Sequence, residues 1–170
     1  MNDMPATRRT VAKDRVVSEL LPEGSRNLRI YLPPGYVETV EYPVVYAQDG
    51  EDFFNFGRIA TIAHKLILEE DWDPFVVVGI DVDNRHRTSE YMAGGERHDA
   101  YVRFVGEELL PHVESRYGVA RTPDRRLLAG GSLGAAASLS IALAYPLLFS
   151  RVLSFSGAYY GGSRRQAIEA

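Results

Sequence analysis

The chain has no cysteine, a single tryptophan and no surplus of positive charge. Without cysteine there is no disulfide framework, no thiolate nucleophile and no cysteine-held metal. With 19 Lys+Arg against 23 Asp+Glu the net charge is −4, which argues against a nucleic-acid surface. The basic pairs Arg8-Arg9, Arg125-Arg126 and Arg164-Arg165 are scattered and read as solvated charges. The N-terminus is charged between Arg8 and Arg15 and has no apolar core, so it does not read as a secretory signal. A cytoplasmic location is therefore expected. One uncharged stretch, Leu127 to Ser150, is long enough to suggest a membrane span. Gly130-Gly131-Ser132 interrupts it and Pro146 cuts its far end, so a buried strand followed by a buried helix is the better reading. There is no His-Glu-x-x-His and no Gly-rich phosphate loop, and neither a metal nor a cofactor is expected.

The 170 residues are expected to form a single domain, residues 1–170, with enough chain for a core of its own. Asp14 to Leu20 and Arg26 to Leu32 read as two strands joined by the turn Pro22-Glu23-Gly24-Ser25. Pro43 to Ala47, Phe75 to Ile80, Arg125 to Ala129 and Arg151 to Ser156 are apolar runs of the kind found in strands covered on both faces. Phe53 to Glu70 and Ala100 to Tyr117 have helical spacing, and residues 81–97 form a loop. Alternating strands and helices predict a mostly parallel sheet with helices on both faces. Active sites in such sheets lie beyond the carboxyl ends of the strands, which gathers Gln48 to Phe54, Asp81 to Asp99 and the turn after Ala129 at one edge.

That last turn carries the strongest signal. Leu127-Leu128-Ala129-Gly130-Gly131-Ser132-Leu133-Gly134 is a short apolar strand running into Gly-x-Ser-x-Gly, and a small-residue helix from Ala135 to Tyr145 follows. This is the strand–turn–helix context of a nucleophile elbow, with Ser132 held at the tip. The competing reading is a Gly-rich turn in which Ser132 caps the helix.

Arg29-Ile30-Tyr31-Leu32-Pro33-Pro34-Gly35-Tyr36, then Tyr42-Pro43-Val44-Val45-Tyr46 and Asp49-Gly50, resemble the opening of the esterase family of α/β-hydrolases that includes enterochelin esterase-like enzymes. The resemblance continues through Val78-Gly79-Ile80-Asp81, Arg87-Thr88-x-Glu90-Tyr91, Glu107-Glu108-Leu109-Leu110-Pro111, the elbow and Ser154-Phe155-Ser156-Gly157. It implies an α/β-hydrolase fold and carboxylic-ester hydrolysis, with Ser132 as the nucleophile. It also implies an oxyanion hole from the backbone N–H of Leu133 and a second donor near Gly50 or Glu51. The substrate it implies is a small-molecule ester of the ferric siderophore trilactone kind.

The family pattern also expects an Asp or Glu and then a His after the elbow, and this sequence supplies no histidine beyond Ser132. The domain is accordingly expected to be incomplete at its C-terminal end. His86 and His98, on the loop at the same sheet edge, are candidates for a substitute base; the alternative leaves both as solvated loop residues, with Asp99 capping the next helix. His64 and His112 fall on helices and read as surface or packing residues. Arg85 and Arg87 are candidates to receive an anionic substrate, or else pair locally with Asp83 or Glu90. Asp49-Gly50-Glu51-Asp52 reads as a cation site or, more simply, as acidic residues entering a helix. Trp72, Tyr159 and Tyr160 read as cleft-lining or core aromatics. An uncovered last strand would expose Val152, Leu153 and Phe155 and invite self-association. The rival to an esterase is a binding module of the same fold that keeps the elbow without the base.

Overall fold

The computed structural model describes residues 7–160. Among these residues six strands form one sheet: β1 (Thr10–Val17), β2 (Ser25–Leu32), β3 (Val44–Ala47), β4 (Val76–Ile80), β5 (Arg126–Gly131) and β6 (Arg151–Phe155), in the order β1-β2-β4-β3-β5-β6. β1 pairs antiparallel with β2, and β2 with β4. β4, β3, β5 and β6 are mutually parallel. Parallel neighbours need crossovers, and helices supply them. α1 (Gly50–Asn55) and α2 (Ile59–Glu69) link β3 to β4. α3 (Arg87–Tyr91), α4 (His98–Arg103) and α5 (Leu110–Arg116) link β4 to β5, and α6 (Leu133–Ala144) links β5 to β6.

Strand alternation divides the core between the two faces. Leu28, Ile30, Val44, Tyr46, Val76, Val78, Ile80 and Leu128 point to one face and are buried with Tyr91, Tyr101, Phe104, Leu109, Val113 and Ile141. Tyr31 and Val77 point to the other, where Ala60 and Ala63 of α2 cover them. The second face is only partly roofed. A groove of about 970 Å³ runs between α2 and β6, lined by Val45, Ile62, Leu66, Leu127, Leu153 and Phe155 among others. β6 leaves Leu153 44% and Phe155 48% exposed, as expected of an uncovered last strand, whereas Val152 is partly buried against the core.

Several boundaries differ from expectation for local reasons. β1 ends at Val17 because the Ser18 hydroxyl accepts the N–H groups of Leu20 and Leu21, at 3.1 and 2.9 Å, and so turns the chain early. The helix expected over Phe53 to Glu70 is two helices. The N–H groups of Phe56 and Gly57 both donate to the Asp52 carbonyl at 2.9 Å, closing α1, and Arg58 then takes a left-handed φ of 52° before α2 begins. The helix expected over Ala100 to Tyr117 runs from His98 to Arg116, but through a π-helical stretch, Phe104–Leu109. Pro111, which has no N–H, stands two residues after that stretch and cannot donate back to the Glu107 carbonyl within it, which disfavours regular α-helical bonding there. The loop at 81–97 contains α3. Leu127 to Ser150 resolves into β5 and the Ala-rich α6, and among the described residues no helix is long and apolar enough to cross a membrane.

Candidate active site

The carboxyl ends of β3, β4 and β5 bring Gln48–Glu51, Asp81–Arg97 and Ser132 to one edge of the sheet. Ser132 joins β5 to α6 with φ 54° and ψ −120°, a backbone conformation that a residue with a Cβ adopts only under strain. The flanking glycines are required by contact. A Cβ on Gly130 would lie 2.2 Å from the Gly134 carbonyl carbon, and one on Gly134 would lie 2.9 Å from Asp49 Oδ2. The strained backbone is fixed from both sides: Ser132 N–H donates to the Phe155 carbonyl, and Ala158 N–H donates to the Ser132 carbonyl, each at 3.0 Å. Ser132 stands at the N-cap position of α6, but its side chain makes no cap hydrogen bond and the residue is exposed. Leu133 opens α6, where the first-turn N–H groups have no acceptor within the helix.

The loop after β3 is equally constrained. Asp49 has a left-handed φ of 53°, and Gly50 starts α1 against β4, where a Cβ would lie 2.4 Å from the Gly79 carbonyl carbon. Gly50 and Glu51 occupy the first turn of α1, so their N–H groups also have no acceptor within the helix. Glu51 itself pairs with Arg29 at 2.8 Å.

The arginine and histidine candidates separate clearly. Arg85 is 82% exposed and paired with Asp83 at 2.6 Å, and this hydrogen bond is the main cause that holds the Asp83 carboxyl below its ordinary range. Arg87 is not available as an open anion receptor. It pairs neither with Asp83 nor with Glu90 but grips Asp49, with Nε 2.7 Å from Oδ1 and Nη2 2.9 Å from Oδ2. Glu90 is buried and paired instead with Arg26, itself buried, at 2.8 and 3.0 Å. His98, expected on a loop, is 4% exposed and donates from Nδ1 to the Glu90 carbonyl at 2.9 Å. Asp99 lies in the first turn of α4, and Arg97, not Asp99, is the capping residue. His64 donates to the Thr7 carbonyl at 2.9 Å, and His112 donates to Asp14 at 3.0 Å. His86 precedes α3 at the Ser132 edge, half-buried, and its ring makes no hydrogen bond among the described residues.

Trp72 is exposed beside Phe75, and the Tyr159 hydroxyl meets Ser154 Oγ at 2.7 Å; Tyr160 is exposed. Among the described residues no group of three or more His, Asp or Glu could hold a metal ion. Sequence reasoning missed the part played by Asp49 and Tyr91. Its available signal was the four-residue spacing of Arg87 and Tyr91, which puts both on one face of α3.

The family model described as "Putative esterase" matches residues 18–163. The chain belongs to this esterase family. An uncharacterized Bacillus subtilis protein, YjcH, is 34% identical over 145 residues, covering 85% of this chain and 60% of its own. The iron(III) enterobactin esterase of Escherichia coli K12 is 28% identical over 159 residues, covering 93% of this chain and 38% of its own. Among solved structures, the Shigella flexneri enterobactin esterase in the presence of enterobactin superposes with a TM-score of 0.79 at 29% identity, covering 92% of this chain and 39% of that one. The fold is that of the α/β-hydrolase esterases. The chain spans 60% or less of the length of these esterase-family relatives.

Proposed function

We propose that this chain carries the nucleophile half of a serine carboxylic-ester hydrolase of the enterochelin esterase-like kind. The observation that carries the reading is the strained, exposed Ser132 between β5 and α6. Holding a serine in such a turn has a stability cost of about 1–3 kcal/mol. That cost makes chemical sense where the hydroxyl must project from the sheet edge towards a substrate.

In this reading Ser132 Oγ attacks the ester carbonyl and loses its proton to a base. The N–H of Leu133 and an N–H from Gly50 or Glu51 receive the developing oxyanion. Such a donor is worth roughly 3–4 kcal/mol because the charge it meets exists only in the transition state. Proton return to the leaving alcohol gives an acyl-enzyme, which water then hydrolyses. The base is assigned to His86, since His64, His98 and His112 are engaged elsewhere. The substrate class is a small-molecule ester, and iron(III) enterobactin, for which the Escherichia coli relative is named, is the first of the ferric siderophore trilactones to test. Hydrolysis of p-nitrophenyl butyrate and of ferric enterobactin, compared with Ser132→Ala and His86→Ala, tests the assignment. Turnover abolished by the first variant and reduced at least a hundredfold by the second supports it.

One observation favours a second reading. No hydrogen bond joins Ser132 to a histidine among the described residues, and a serine without an adjacent base is a weak nucleophile. A folded chain that binds the ferric trilactone without turnover would be a binding module of the same fold.

A further inference from the structure

We propose that α3 is a clamp on the oxyanion loop and that Arg87 is its positioning residue, acting on catalysis through Asp49 and never touching substrate. The proposal rests on the reading of Ser132 as nucleophile and adds a residue pair to it.

The argument begins with an unfavourable backbone. Asp49 sits at φ 53° and ψ 49°, where a non-glycine residue persists only if its surroundings hold it. α3 holds it twice. Arg87 takes both carboxylate oxygens in a fork, at 2.7 and 2.9 Å, and Tyr91 one turn later accepts the Asp49 N–H at 3.1 Å. The Arg87 guanidinium also lies 5.3 Å from the centre of the Tyr91 ring, so the two grips brace each other. The preceding residue is fixed as well: Gln48 N–H donates to the Ala129 carbonyl at 2.8 Å, and the Tyr101 hydroxyl donates to Gln48 Oε1.

The clamp is itself anchored. Glu90, between the two gripping residues on α3, forms the buried fork with Arg26 of β2, and its carbonyl receives His98. Arg87, Glu90 and Tyr91 thus tie the oxyanion loop to the sheet through one five-residue helix. The Asp49 carboxylate also lies where a side chain on Gly134 would be, so the clamp touches the elbow from behind. Loosening it lets Asp49 relax towards ordinary backbone angles and turns the Gly50 and Glu51 N–H groups away. A planar fork is needed for this, and lysine, a point charge on a flexible stem, cannot supply it.

The test uses the 170-residue chain and its Arg87→Ala, Arg87→Lys and Tyr91→Phe variants, with two readouts. The first is backbone amide exchange in the peptide spanning residues 48–55. The second is the rate at which a fluorophosphonate modifies Ser132, read by intact mass. Arg87→Ala and Arg87→Lys should speed exchange at 48–55 at least tenfold while β2 and β5 peptides stay unchanged. Both should slow the modification about tenfold or more, as for partial loss of an oxyanion donor. Tyr91→Phe, which keeps the ring, should show a smaller effect of the same kind. Unchanged exchange at 48–55 in folded Arg87→Ala, or full rescue of both readouts by lysine, overturns the clamp. A wild-type chain that never reacts defeats the reading of Ser132 as nucleophile, and the exchange data still decide the clamp.

Discussion

Replacing Ser132 by glycine should make the protein more stable while removing its reactive hydroxyl. Ser132 occupies φ 54° and ψ −120°, a region open to glycine and strained for any residue with a Cβ. Relief of that strain is worth about 1–3 kcal/mol. Glycine also loosens the unfolded chain, which returns roughly 0.4–1 kcal/mol. The Ser132 side chain makes no cap hydrogen bond whose loss would offset the gain. The net expectation is a stabilisation of about 1–2 kcal/mol, or a Tm rise of roughly 2–8 °C for a chain this size. Ser132→Ala keeps the Cβ and the strain, and should stay within about 0.5 kcal/mol of wild type. Urea unfolding of the three proteins side by side, with calorimetry as a second probe, gives the comparison. A Ser132→Gly protein no more stable than Ser132→Ala would refute the claim that strain is stored at this turn.

Three further outcomes are expected. Glu90→Ala leaves the Arg26 charge buried without its main partner and should cost about 3–5 kcal/mol in urea unfolding; a loss below about 1 kcal/mol would show that the fork contributes little. Burial alone would raise the Asp14 pKa, but hydrogen bonds from Arg15 N–H, His112 and Tyr117 outweigh it and hold the carboxyl below 3.8. Its contribution to stability is therefore full above that value and lost as pH falls through the lower folded value. Asp14→Asn should accordingly lose less stability than wild type between about pH 5 and about pH 2. The outer edge of β6, with Leu153 and Phe155 exposed, should drive concentration-dependent self-association in sedimentation velocity, weakened by Leu153→Lys; a monodisperse wild-type monomer would contradict this.

Local pattern made much of the molecule readable. The apolar runs at Val44–Ala47 and Val76–Ile80 are strands because both their faces need cover. Gly130, Ser132 and Gly134 announce a sharp turn because no larger residue fits the contacts that Gly130 and Gly134 make. What stayed hidden depends on distant partners or on single backbone angles. The break between α1 and α2 comes from two N–H groups competing for the Asp52 carbonyl, which apolar spacing does not encode. His98 looks like a loop residue in sequence, yet the Glu90 carbonyl and the packing of α3 against α4 draw it inside. In sequence Arg87 looks like a substrate contact or a local ion pair, but its partner Asp49 lies 38 residues away, brought near only when β3 and β4 pair. The exposure of Leu153 and Phe155 on β6 is, by contrast, what the sequence leads one to expect of an uncovered last strand.

The central claim is that Ser132 is an activated nucleophile, and peptide mapping after exposure to a fluorophosphonate tests it most directly. The account predicts one phosphonyl adduct per chain, located on Ser132, absent from Ser132→Ala and formed at least a hundredfold more slowly by His86→Ala. A folded wild-type chain that acquires no adduct would contradict it, and would leave the elbow as a strained turn that no base in this chain activates.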